Sequence, residues 1–261
     1  MAMQPTSFLP KSTGRRTGAI LVVAAALAGC GASTASSSPT GQAATGVRVL
    51  WMGDSIAGAQ APALEAALKA GGAAFKNVTS DGGGNVVAGD HEVTAMAAAD
   101  TWKTLKESLA SFRPTVIAYQ ITTYDWGTAR QQLSAYRKLS KAAGDAGAEL
   151  VLVSAPPFKI DEFFKPHENA IRSAPAMAAK AAGAAHVRYL DASELWGGDY
   201  AAGKAQRAKD GIHSCQQGSA AFATWFAKRL GELAGFTPAA PEVWATGPWT
   251  GDERFVKLGC G

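Results

Sequence analysis

The chain has 261 residues, 47% of them hydrophobic, which is enough to bury a full core and excludes wholesale disorder. Its 25 basic and 21 acidic side chains give a net charge of +4, but three of the basic residues, Lys11, Arg15 and Arg16, fall in the first 29 positions, which hold no acid. The remainder is close to neutral, about +1, so no basic patch asks for a nucleic-acid partner.

In chain order, residues 1–29 read as a targeting segment. A basic stretch ending in Arg15-Arg16 precedes an apolar run from Ala19 to Ala28, too short for a typical transmembrane helix and suited to a signal peptide. It closes in Leu27-Ala28-Gly29-Cys30, which resembles the bacterial lipobox. That resemblance implies lipidation of Cys30 and an extracytoplasmic location on the cell membrane. Residues 30–45 are small and polar, a flexible tether with a reach on the order of 20 Å.

From Gly46 onward strand-like runs at 47–52, 74–79, 115–121, 149–154 and 186–190 alternate with helical patterns at 57–70, 95–111, 128–143, 168–182 and 218–234. This β-α alternation predicts an α/β domain over 46–235, with a mainly parallel five-stranded sheet covered by helices on both faces. The Pro-rich stretch 236–261 reads as a non-helical strap over the surface. Apart from Cys30 the cysteines are Cys215 and Cys260, and in an oxidising compartment this pair reads as a disulfide closing a loop of about 45 residues. The segment after the fourth strand carries Phe158, Phe163 and Phe164, either walling a pocket or forming a satellite core.

The first strand runs straight into Gly53-Asp54-Ser55, so Ser55 sits at the carboxyl edge of the sheet, where ligands bind in open α/β folds. A serine hydroxyl needs a positioned base. Of the four histidines, His91, His167 and His186 lie in contexts that suit solvated or core-edge residues. His213 differs: it follows Asp210 in an Asp-x-x-His spacing across a glycine turn, which lets the carboxylate orient the imidazole Nδ1–H while Nε2 faces the serine.

With these blocks the chain resembles the SGNH, or GDSL, hydrolases over roughly residues 46–234. The resemblance implies a flavodoxin-like three-layer α/β/α sandwich, with Ser55 as nucleophile, His213 as base and Asp210 as its orienting acid. It implies an oxyanion hole from the Ser55 N–H and a glycine of Asp81-Gly82-Gly83-Gly84-Asn85, with Gly83 or Gly84 favoured. The family's third block, Gly-x-Asn-Asp, falls on Thr122-Thr123-Tyr124-Asp125, which places Tyr124 where the oxyanion asparagine belongs. A tyrosine hydroxyl lies further from the backbone than an asparagine amide, so Gln120, Thr122 and Thr123 are alternative donors. The variant pattern and the lipid anchor look most like SGNH domains attached to, or working beside, cell-envelope acyltransferases.

The expected function is a membrane-tethered serine esterase or O-acyltransferase acting on an acylated envelope glycan or small ester, with a membrane acyltransferase as candidate partner and no metal or cofactor implied. The rival is a binding or accessory protein that keeps the fold without turnover, motivated by Tyr124. A structural role using neither Ser55 nor His213 would require the two side chains to lie beyond roughly 6 Å from one another.

Overall fold

A computed structural model describes residues 44–260, all within one compact unit spanning 41–261. The expected signal peptide, the expected lipidation site Cys30 and nearly all of the expected tether lie outside the described residues. Five strands form the sheet: β1 (Arg48–Met52), β2 (Ala74–Asn77), β3 (Val116–Gln120), β4 (Glu149–Val153) and β5 (Val187–Leu190). They pair in the order β2-β1-β3-β4-β5, every pair parallel. The order reverses between β1 and β3, which makes the carboxyl ends of those two strands the switch point of the sheet.

Strict alternation along the central strands builds two separate cores. Val49 and Trp51 of β1, Val116 and Ala118 of β3, and Val151 and Val153 of β4 face one layer. Leu50, Met52, Ile117, Tyr119, Leu150 and Leu152 face the other. Both faces are apolar because both are covered, as parallel sheets require. On the first face lie α1 (Ser55–Ala70) and α6 (Gln216–Ala234), whose Phe222 and Phe226 meet the ring of Trp51 at 5.8 and 5.4 Å. On the second lie α3 (Ala129–Asp145) and α4 (Glu168–Ala181), together with Leu105 of α2 (Glu92–Ser111). A one-turn α5 (Ser193–Trp196) adds Trp196, which stacks on Phe222. The α/β class and the five strands and five main helices expected from the sequence are thus observed.

The tail departs from the non-helical strap expected of it. Two 3-10 turns, Pro241–Val243 and Pro248–Gly251, lead into a short helix, α7 (Glu253–Lys257). Proline is compatible with each turn because it stands at the first position, where no N–H is needed. Asp252 caps α7 by accepting from the Arg254 N–H, and Phe255 is completely buried against Trp249. Cys215 and Cys260 are joined in a disulfide with Cα atoms 5.5 Å apart. The chain-entropy cost of opening a 45-residue loop is about 4 kcal/mol. Cys260→Ser is therefore expected to lower unfolding free energy by about 3–4 kcal/mol, read as a fall in the urea midpoint with the m-value rising as the unfolded chain expands.

Candidate active site

The Gly-Asp-Ser turn is locked across the switch point. Asp54 is the N-cap of α1: its Oδ1 accepts from the Ile56 N–H at 2.9 Å. Its Oδ2 accepts from the Thr123 N–H at 2.7 Å and the Thr123 hydroxyl at 2.8 Å, 69 residues away. Burial pushes the Asp54 carboxyl up from its ordinary value, with the Thr123 and Ile56 hydrogen bonds opposing it. Gly84 presses on the same turn: a Cβ there would lie 2.0 Å from the Gly53 carbonyl oxygen, and its φ of +75° is one a side chain disfavours. Ser55, first residue of α1, is thereby held at the helix N-terminus with its hydroxyl pointing outward.

The hydroxyl donates to His213 Nε2 at 2.9 Å, and His213 Nδ1–H donates to Asp210 Oδ2 at 2.6 Å. Asp210 Oδ1 also accepts the Ile212 and His213 N–H groups at 2.8 and 3.0 Å, so one carboxylate shapes the loop and orients the ring. Partial burial works to raise the Asp210 carboxyl, but these hydrogen bonds and the His213 charge outweigh it and hold the group below the usual carboxylate range. The loop is closed behind by Arg207, whose Nη1 donates to Ser214 Oγ at 2.8 Å, and by the Ala208 N–H donating to the His213 carbonyl. Nothing in the spacing of Arg207 marked that role.

A cavity of about 580 Å³ opens over this arrangement, with Ser55, Gly82 and His213 on one side and Asp252, Glu253, Arg254 and Lys257 of the tail on the other. Of the three adjacent glycines, Gly82 lines it. The Gly83 N–H turns inward to the Ser80 carbonyl at 3.3 Å, and Gly84 is spent on close packing against Gly53. Only the fold of the turn separates three adjacent glycines, which is why the sequence could not choose among them.

Tyr124 does not line this cavity. Its ring packs with Trp126, Phe163 and Phe164 at centroid distances of 5.3, 6.2 and 5.9 Å, and burial, then Asp54 and Asp161, push its hydroxyl up. Phe158, Ile160 and Ile171 join the same cluster and also line a separate cavity of about 520 Å³, so the aromatic segment after β4 both forms a satellite core and walls a pocket, while the tail walls the cavity over Ser55. Two of the three alternative donors are committed elsewhere. Gln120 Nε2 donates to Gln60 Oε1, the Thr123 hydroxyl to Asp54, and Thr122 Oγ1 accepts from the Tyr124 N–H. Asp125, the block's last residue, is fully buried and receives the hydroxyls of Tyr119 and Tyr136.

Among solved structures the chain is similar to a carbohydrate acetylesterase family member from Sinorhizobium meliloti, at 16% identity and a TM-score of 0.55, over 72% of this chain and 99% of that one. It is also similar to a lipase/acylhydrolase from Enterococcus faecalis, at 16% identity and a TM-score of 0.53, over 74% and 99%. At such identities the likeness concerns the fold. No curated protein matches the chain. A family model described as an SGNH domain fused to AT3 domains matches residues 26–208, well over half the length. Together with the 2-1-3-4-5 parallel sheet, that match establishes that the chain belongs to the SGNH family.

Proposed function

We propose that this protein is a serine esterase or O-acyltransferase, anchored through Cys30 to the outer side of the cell membrane and acting on acetyl or other short acyl esters of an envelope glycan. The observation that carries the reading is the unbroken hydrogen-bond relay from Ser55 Oγ through the His213 ring to Asp210. Ser55 Oγ attacks the ester carbonyl carbon as its proton passes to His213 Nε2, and Asp210 stabilises the imidazolium. The tetrahedral intermediate expels the alkoxide, which takes the proton from His213, leaving the acyl group on Ser55. Water or a sugar hydroxyl then repeats the sequence in reverse roles. The developing oxyanion is met by main-chain donors, the N–H groups of Ser55 and Gly82, the glycine that lines the cavity beside it.

Among the described residues no helix is long and apolar enough to cross a membrane, which is compatible with an anchor carried elsewhere in the chain. The fusion named in the family model favours a membrane acyltransferase as partner. The test is labelling of the folded protein with a fluorophosphonate probe, followed by peptide mapping: a stable adduct on Ser55 is expected. A protein that binds acetylated glycan undiminished after Ser55→Ala, and takes no adduct as wild type, would instead be the accessory module that the altered third block suggests.

A further inference from the structure

The last residues of the chain lie beyond the stretch matched by the family model, yet they build one wall of the cavity over Ser55. Arg254 joins this wall to the glycine turn across the cavity. Its Nη1 donates to Asp81 Oδ1 at 2.9 Å, spanning 173 residues of sequence to the amino acid directly before Gly82. Its guanidinium also lies against α1 at Gly58, one turn beyond Ser55: a Cβ at position 58 would sit 2.8 Å from Nη1 and 3.3 Å from both the guanidinium carbon and Thr79 Oγ1. Glycine is a poor choice inside a helix, and here it leaves the room that the guanidinium occupies.

The helix that carries Arg254 is itself restrained. Asp252 caps it, the neighbouring Phe255 is fully buried, and the Phe255 carbonyl accepts the N–H of Cys260 at 2.9 Å. Cys260 is bonded to Cys215, two residues after His213. One covalent link thus ties the loop of the base to the arm that grips the glycine turn.

We infer that Arg254 is a positioning residue: through Asp81 it fixes the turn bearing Gly82 beside the nucleophile helix, and the Cys215–Cys260 bond keeps it there. The inference rests on the esterase reading above, in which the oxyanion donors are main-chain groups. Where a family member has an asparagine side chain to share the load, this chain depends on where a glycine turn happens to stand. An ion pair with an Asp81 side chain 68% exposed adds little to stability, so its effect falls on geometry. Misplacing a donor by about 1 Å costs up to roughly a hundredfold in rate.

The test uses the oxidised protein with p-nitrophenyl acetate as substrate. Arg254→Ala is expected to lower kcat by about ten- to a hundredfold with KM changed less than about threefold and thermal stability nearly unchanged. Arg254→Lys should restore part of the loss. Asp81→Ala should match Arg254→Ala, and the double variant should be no worse than either single one. Gly58→Ala, which favours the helix but crowds the guanidinium, should reduce kcat severalfold without lowering the melting temperature. Reducing the disulfide should slow the wild type and have much less effect on Arg254→Ala.

Unchanged kcat in Arg254→Ala, or losses at Arg254 and Asp81 that multiply, would overturn the inference. A rise in KM alone would also overturn it, because Arg254 would then be holding substrate. Amide hydrogen exchange over residues 80–85 decides the matter independently of turnover: it should quicken in Arg254→Ala and on reduction, and unaltered exchange refutes the positioning role. If the wild type neither cleaves esters nor labels at Ser55, the esterase reading fails on its own, and exchange still reports on the arm.

Discussion

Replacing Ser55 or His213 by alanine is expected to lower kcat/KM for an activated ester by about 10⁴- to 10⁶-fold, with the double variant no slower than either single one. The two groups act as one unit, because a hydroxyl without its base and a base without its hydroxyl are equally unable to form the acyl intermediate. Asp210→Asn should be milder, about 10²- to 10⁴-fold, since it spares the nucleophile but inverts the preferred tautomer of the ring. The variants should fold normally. The His213 side chain is 18% exposed on a surface loop whose closure by Arg207, Ala208 and the disulfide does not use the imidazole. Stopped-assay kinetics beside a thermal melt for each variant checks both halves, and a parent with no hydrolysis to lose would favour the accessory reading.

The largest expected effect on stability lies at Asp125. Its two carboxylate oxygens receive the Tyr119 hydroxyl at 2.9 and 2.8 Å, the Tyr136 hydroxyl at 3.1 Å, and the N–H groups of Thr122 at 3.1 Å and Val87 at 3.4 Å, all buried. Asp125→Ala would leave four donors without an acceptor and is expected to destabilise the fold by about 3–5 kcal/mol. Asp125→Asn probes the charge. Burial raises the carboxyl from 3.8 to about 6, against the hydrogen bonds, so between those values the folded chain holds a proton that the unfolded chain has lost. Stability from this group is therefore present below pH 4 and is lost as pH rises through about 6, at up to about 1 kcal/mol per pH unit. Urea melts across pH 4 to 7 should show a steeper decline for the wild type than for Asp125→Asn.

The sheet was readable because its signal is local. Five short apolar runs, each followed by a helical pattern, announce a parallel sheet whatever their partners, and the expected pairing of Cys215 with Cys260 is observed. Ser55 and His213 were readable as motif residues at the two ends of the domain, and the structure places them 2.9 Å apart. What escaped notice is set by contacts between distant loops. Thr123 on Asp54, Arg254 on Asp81 and Arg207 on Ser214 have no periodicity or spacing that would couple them. The surroundings of Tyr124 were equally illegible: its motif position assigns it to the hole, while its ring packs with three aromatic side chains, two of them brought in from the segment after β4. The short helix in the tail was hidden by prolines that stand before it rather than in it.

The hydroxyl and the imidazole it faces are supplied 158 residues apart, by the start of α1 just after the first strand and by the loop preceding the last long helix. A chain emerging from its N-terminus can complete all five strands by Leu190 while still lacking a base. Competence would thus be the last property acquired in synthesis, appearing only once α6 docks beside α1 and the tail closes behind it.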